Sequence, residues 1–144
     1  RSERARFLLA AESTLGSLRT LVRRHPVAQG PCWLYEGRLA ELQGNRERAR
    51  LLLARARARA ELRGLPLDLA LARRALGKLE RDTTDPAAAR HAREHLLAAA
   101  ALFSQLGARA EQAEALSLLG PATRPAGPAR TRGHDVRHQL PGTW

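Results

Sequence analysis

Apolar positions recur at helical spacing along most of this chain, and strand-like alternation is absent. Phe7, Leu8, Ala11, Leu15, Leu18 and Val22 fall on one stripe and predict a helix over 2–24. His25-Pro26 ends it, because the residue before a proline is pushed out of the α region. Gly30-Pro31 is read as the start of the next element. Further helices are predicted over 32–43, stopped by Gly44-Asn45, over 46–63, stopped by Gly64, and over 67–80, with Pro66 at its start. A polar break at 82–86 follows, with Asp85 placed to cap a helix and Pro86 in its first position. That helix runs over 86–106 to Gly107, and a last one over 108–119 to Gly120-Pro121. Valine occurs three times and isoleucine not at all, which removes the residues that favour strands. The fold class expected is all-α.

Self-comparison adds a repeat. GLPLDLALARRALG (64–77) and GARAEQAEALSLLG (107–120) align at an offset of 43 residues, with Gly64/Gly107, Ala70/Ala113, Ala72/Ala115, Leu76/Leu119 and Gly77/Gly120 in register. The same offset takes Ala49 to Ala92, Leu53 to Leu96 and Ala56 to Ala99. One helical hairpin per period of this length is the signature of an α-solenoid.

Trp33, Gly37, Ala49, Leu53 and Ala56 resemble the aromatic, small and packing positions of a tetratricopeptide repeat (TPR). Small residues at 37 and 49 let two helices approach closely, while Leu53 and Ala56 fill the groove against the next unit. Glu36 and Ala40 stand where that family prefers Leu and Tyr, and the period exceeds its usual one, the added length lying in the 81–85 connector and in longer second helices. Over residues 23–115 the pieces RRHPVAQGPCWLYEGRLAELQGNRERAR, LRGLPLDLALARRALGKL and HLLAAAALFSQLGA resemble the C-terminal repeat arm of large bacterial multidomain regulators. Such proteins join an AAA/STAND ATPase to the arm, often with a nucleotide cyclase or protein kinase domain. The resemblance implies a TPR-like right-handed solenoid over 1–120 acting as a signalling or scaffolding arm. It implies no catalysis in this chain, which has neither a Walker loop nor a cyclase's paired aspartates.

Composition then narrows the picture. The net charge is +11, carried by 24 arginines and the single lysine Lys78. That imbalance, with no methionine and abundant Ala and Leu, points to a GC-rich genome as one source of the charge. The five aromatic residues, Phe7, Trp33, Tyr35, Phe103 and Trp144, are too scattered for a base-stacking platform. No apolar run is long enough to cross a membrane. The first residue is Arg, which marks a fragment or processed chain, and no secretory leader is read at its start. One cysteine, Cys32, excludes an internal disulfide framework and fits a cytoplasmic setting, where it serves as a small packing residue. Residues 121–144 concentrate proline, glycine and arginine and are expected to form a disordered basic tail.

Catalytic constellations are weak. His91, Glu94 and His95 spell H-x-x-E-H, the spacing of inverted zinc peptidases, but they flank the apolar stripe Ala88, Ala92, Leu96, Ala99 and Phe103 and lack an evident third ligand. His134 and His138 repeat the spacing in the tail. Ser13, Ser17, Ser104 and Ser117 lie outside any nucleophile elbow. No catalytic residue, metal or cofactor is assigned.

A surface is the better candidate. In TPR-like arrays the first helix of each hairpin lines the concave face. That places Leu34, Arg38, Glu41 and Leu42 beside Leu71, Arg74, Lys78, Arg81 and Asp82, a basic groove with apolar rungs suited to an acidic peptide. The expected function is protein–protein interaction with an acidic segment or with neighbouring domains of a parent protein, in the cytoplasm, with self-association through an exposed repeat end as a further expectation. No specific nucleic acid and no membrane partner are expected. The alternative is electrostatic polyanion binding through Arg46, Arg48, Arg50, Arg55, Arg57 and Arg59 together with the tail. Those six arginines spread around the helix rather than forming one stripe.

Overall fold

A computed structural model describes residues 2–120. Arg1 and residues 121–144, and with them the expected tail and its two histidines, lie outside the described residues. The described residues form six α-helices and no strand: α1 (Ser2–Arg24), α2 (Gln29–Leu42), α3 (Arg46–Arg63), α4 (Pro66–Glu80), α5 (Pro86–Gln105) and α6 (Arg109–Ser117). A single 3₁₀ turn, Pro26–Ala28, joins α1 to α2.

The helix stops are chemical. After α2, α3 and α5 the chain turns through Gly44, Gly64 and Gly107 at φ +79, +63 and +71, a conformation that costs glycine nothing. Each closes the same pair of bonds onto the last turn. Asn45 N–H donates to the Ala40 carbonyl (2.9 Å), Leu65 N–H to Ala60 (3.0 Å) and Ala108 N–H to Phe103 (2.9 Å), with the glycine N–H bonded inside each loop. Asp85 caps α5 by accepting from Ala87 N–H at 3.1 Å, and Asn45 caps α3 by accepting from Arg48 N–H at 3.2 Å. Asn45 thus both ends one helix and starts the next. Gly30-Pro31 is not a start. α2 begins at Gln29 and takes both residues into its first turn, where a proline's missing N–H has no helical acceptor to lose. α6 ends at Ser117 rather than 119, its last residues passing into a turn that closes at Gly120.

Extensive packing joins helices that are neighbours or next-but-one in the chain, so the described residues form a helical-repeat-like stack. Three apolar clusters follow in order: Ala11, Leu15, Cys32 and Leu39 between α1 and α2; Ala40, Ala49, Leu53, Ala75, Leu76 and Leu79 across α2, α3 and α4; Ala70, Ala99, Ala100, Phe103 and Ala115 across α4, α5 and α6.

Within each tight pair one glycine sets the spacing. A Cβ on Gly37 would stand 2.8 Å from Leu53 Cγ. A Cβ on Gly77 would stand 2.5 Å from Leu96 Cγ and 3.0 Å from the Ala92 carbonyl oxygen. The 43-residue offset therefore holds at Gly64/Gly107, both helix stops, and fails at Gly77/Gly120. Gly77 lies inside α4 against α5, whereas Gly120 turns the chain at φ +73. The structural counterpart of Gly77 is Gly37.

Gly16, in α1, meets nothing within 4 Å. Gly16→Ala is expected to stabilise the protein by up to about 1 kcal/mol through helix propensity. Gly77→Ala carries the same gain, but the overpacking cost of about 1–3 kcal/mol falls partly on an immovable backbone oxygen, so a net loss is expected. Urea denaturation of the two variants beside the unaltered chain checks the opposite signs.

Candidate functional site

α2, α4 and α6 each send one face into a common cleft. α2 contributes Leu34, Arg38 and Glu41, α4 contributes Leu71, Arg74, Ala75 and Lys78, and α6 contributes Glu114, with Leu118 just past its end. Apart from the adjacent Arg74 and Ala75, the spacings within each helix are three, four and seven residues, which is what places them on one face. The pit between them holds only about 30 Å³. That is room for a water or two, against several hundred Å³ for a small-ligand pocket.

Arg74 is the most enclosed cation in the cleft. Its side chain is 15% exposed, it pairs with Glu114 at 3.3 Å, and its guanidinium lies 5.1 Å from the centre of the Phe103 ring. It therefore ties α4 to α5 and α6. Arg38 and Lys78 are exposed and make no hydrogen bond or ion pair among the described residues. Three cations thus face two carboxylates, Glu41 and Glu114. The cleft is closer to charge balance than the basic groove expected from the sequence.

Five of the seven residues assigned to the groove, Leu34, Arg38, Leu71, Arg74 and Lys78, come together here, with Glu41 on the rim. Leu42 and Arg81 do not. Leu42 ends α2 one residue past Glu41, turned toward α1, and lines a separate apolar slot with Phe7, Ala11, Tyr35, Arg38 and Leu39. Arg81 lies beyond the last turn of α4, beside Ala89, Ala92 and Arg93 of α5, and pairs with the exposed Asp82 at 3.7 Å. Glu114 and Leu118 were missed. The signal for them was present, since the offset that aligns the two glycine-bounded windows carries Leu71 onto Glu114 and Ala75 onto Leu118.

The arginines of α3 are mostly engaged inside the molecule. Arg46 donates to the Leu79 carbonyl at the end of α4 (2.6 Å), Arg48 pairs with Glu36 (2.6 Å), Arg50 with Glu80 (3.0 Å), Arg57 with Glu61 (3.1 Å), and Arg59 donates to the Pro26 carbonyl (2.8 Å). Arg55 alone of the six has no such partner among the described residues. Glu36 also accepts from Arg19 at 2.7 Å, so one carboxylate joins α1, α2 and α3.

His91 is exposed and stands 3.5 Å from Glu94. His95 Nδ1 stands 3.5 Å from a guanidinium nitrogen of Arg73, a neighbour that repels a cation. Among the described residues no three His, Cys, Asp or Glu side chains converge as a metal site. Cys32 is buried between α1 and α2, and burial, with Glu36 nearby, pushes its thiol pKa up. No helix among the described residues is long and apolar enough to cross a membrane. No family model matches the chain, and no curated protein or solved structure shows significant similarity to it.

Burial, reinforced by the Arg73 charge, holds the His95 pKa below the ordinary 6.5. The unfolded chain therefore takes up this proton first as pH falls, so the contribution of neutral His95 is present above about pH 6.5 and is lost as pH drops through the lowered value. Denaturation midpoints measured from pH 7.5 to 5.0 should decline more steeply for the unaltered protein than for His95→Gln.

Proposed function

We propose that this chain is a non-catalytic protein-interaction module, a short TPR-like right-handed solenoid whose concave face docks an acidic, partly apolar segment. The observation that carries the reading is that alternate helices, α2, α4 and α6, line one cleft while α3 and α5 stand between them in the chain. That is the arrangement in which the first helix of each hairpin faces a ligand. Leu34 and Leu71 supply apolar rungs, and Arg38 and Lys78 supply two unengaged cations that can form charge-assisted hydrogen bonds with carboxylates. Arg74, already held by Glu114 and Phe103, shapes the wall. The segment belongs to a separate protein or to a neighbouring domain of a parent regulator of the AAA/STAND kind, and the setting is the cytoplasm. Polyanion binding through α3 has less support, because five of its six named arginines already have a partner within the molecule.

The test is a pull-down from the native cell lysate at about 0.15 M salt, where the Debye length of ~8 Å suppresses distant charge effects. Arg38→Glu/Lys78→Glu should reduce recovery of the partner at least about tenfold, the loss of about 1.4 kcal/mol. Arg55→Glu/Arg90→Glu changes the net charge equally at exposed positions outside the cleft and should leave recovery unchanged. Equal losses in both variants, or recovery of nucleic acid alone, would rule out cleft docking.

A further inference from the structure

The cleft and the apolar slot beside it share one residue. Arg38 lines the cleft with Leu34 and Lys78 on the α4 side of α2, and the slot with Phe7 and Leu42 on the α1 side. The two faces of α2 are stripes offset by one residue. Leu34, Arg38 and Glu41 serve the cleft, and Tyr35, Leu39 and Leu42 serve the slot. Arg38 stands on the ridge between them and makes no hydrogen bond or ion pair among the described residues.

The slot is apolar apart from that guanidinium and the Tyr35 hydroxyl. The buried Ala11 and Leu39 form its floor, and Phe7 and Leu42, 60% and 49% exposed, form its rim. Its volume of about 200 Å³ exceeds the ~150 Å³ of an apolar cavity that takes up benzene. Hydrogen bonds tie its two walls together. Arg4 of α1 donates to the Leu42 carbonyl (3.0 Å), and Gln43, just past α2, donates to Glu12 of α1 (3.4 Å). A slot tied in this way is set before anything enters it, so filling it carries little ordering cost.

The lining chooses the occupant. Phe7 from α1 and Tyr35 from α2 give each wall an aromatic ring, which a third ring can meet edge to face. Arg38 supplies a cation that favours both the face of a ring and a carboxylate. No carboxylate lines the slot, so an acidic segment meets no like charge among its lining residues.

We propose that the slot is the anchor pocket of the cleft. The docked segment sets a carboxylate on Arg38 and Lys78, crosses α2 over Arg38, and places an aromatic side chain between Phe7 and Tyr35. The acidic half rests on the docking reading above, and the aromatic half is new. Grooves on the two sides of a helix lie about one helix diameter apart, ~10 Å. An extended segment covers that in about three residues at ~3.3 Å each. The recognised pattern is therefore an acidic residue with an aromatic one about two to four positions away. Phe7, which does not line the cleft, becomes a residue that determines specificity.

Selection from a phage-displayed library of random short peptides, on the full chain at about 0.15 M salt, tests it. Peptides recovered on the unaltered chain should combine Asp or Glu with Phe, Tyr or Trp at that spacing. Phe7→Gln and Leu42→Gln leave the charge unchanged at exposed positions and should keep the helical circular dichroism. On either variant the peptides should keep their acidic residues and lose the aromatic preference. On Arg38→Glu/Lys78→Glu the acidic preference should vanish. In one recovered peptide, changing the aromatic residue to Ala should weaken binding to the unaltered chain at least about tenfold, and to Phe7→Gln less than about twofold. Acidic peptides with no aromatic preference at that spacing, or an aromatic effect of equal size in Phe7→Gln, would overturn the anchor pocket and leave cleft docking standing. A slot already filled by another part of the chain gives that same result. Peptides with no acidic preference, or none recovered at all, would overturn the docking reading and the anchor pocket with it.

Discussion

Between Gly37 and Leu53, and again between Gly77 and Leu96, the two helices of a pair stand too close for one more methyl group. The rest of the molecule follows from that separation. Each glycine makes room for the leucine opposite it, and the remaining buried positions of these helices are mostly alanine: Ala49, Ala56 and Ala60 beside Leu52 and Leu53 on α3, and Ala92, Ala99 and Ala100 beside Leu96 and Phe103 on α5. Among the described residues Phe103 is the one aromatic side chain sealed in the interior, and it lies where α4, α5 and α6 meet. A thin seam buries little area per residue. Three small clusters in series take the place of one large core.

The arginines compensate for that thinness at the margins. Arg46 and Arg4 reach carbonyls at helix ends that would otherwise face only water, and Arg48, Arg19 and Arg50 reach carboxylates on adjacent helices. Glu36 is the clearest case, its side chain 12% exposed and shared between two guanidiniums. Planar, multi-donor guanidinium groups suit this role better than lysine does. A chain carrying +11 can thus be strongly basic in composition while many of its arginines are engaged at the surface with its own carboxylates and carbonyls, and a charge total alone is a poor guide to what such a surface binds.

Most of the fold was legible in the order of residues. The periodicity of α1, the glycine stops and the Asp85-Pro86 start are local signals, and local chemistry decides them. Gly30-Pro31 misled because the same dipeptide can precede a helix or lie in its first turn, and only the packing of Cys32 against α1 distinguishes the two. The paired glycines at 77 and 120 misled for another reason. One provides close approach and the other a left-handed turn, and sequence identity does not separate those uses of a missing Cβ. In the cleft, the faces of α2 and α4 were legible from helical spacing. The Arg74–Glu114 pair was not, because it depends on how far α6 swings over α4, a tertiary quantity. Leu42 fell outside because it stands one residue past Glu41, an offset that turns a side chain by roughly 100°, and Arg81 because α4 ends at Glu80, which leaves Arg81 beyond the helix and beside α5.

Packing confined to nearest and next-nearest helices also makes the stack compliant. Each hairpin can rotate slightly on the one before it without breaking a distant contact, and the rotations add along the axis. The walls of the cleft come from three successive levels of that stack, so its width is set by two such rotations rather than by a rigid frame. Tension or torsion applied at either end would therefore reach Arg38, on α2, and Lys78, on α4, as a change in their separation.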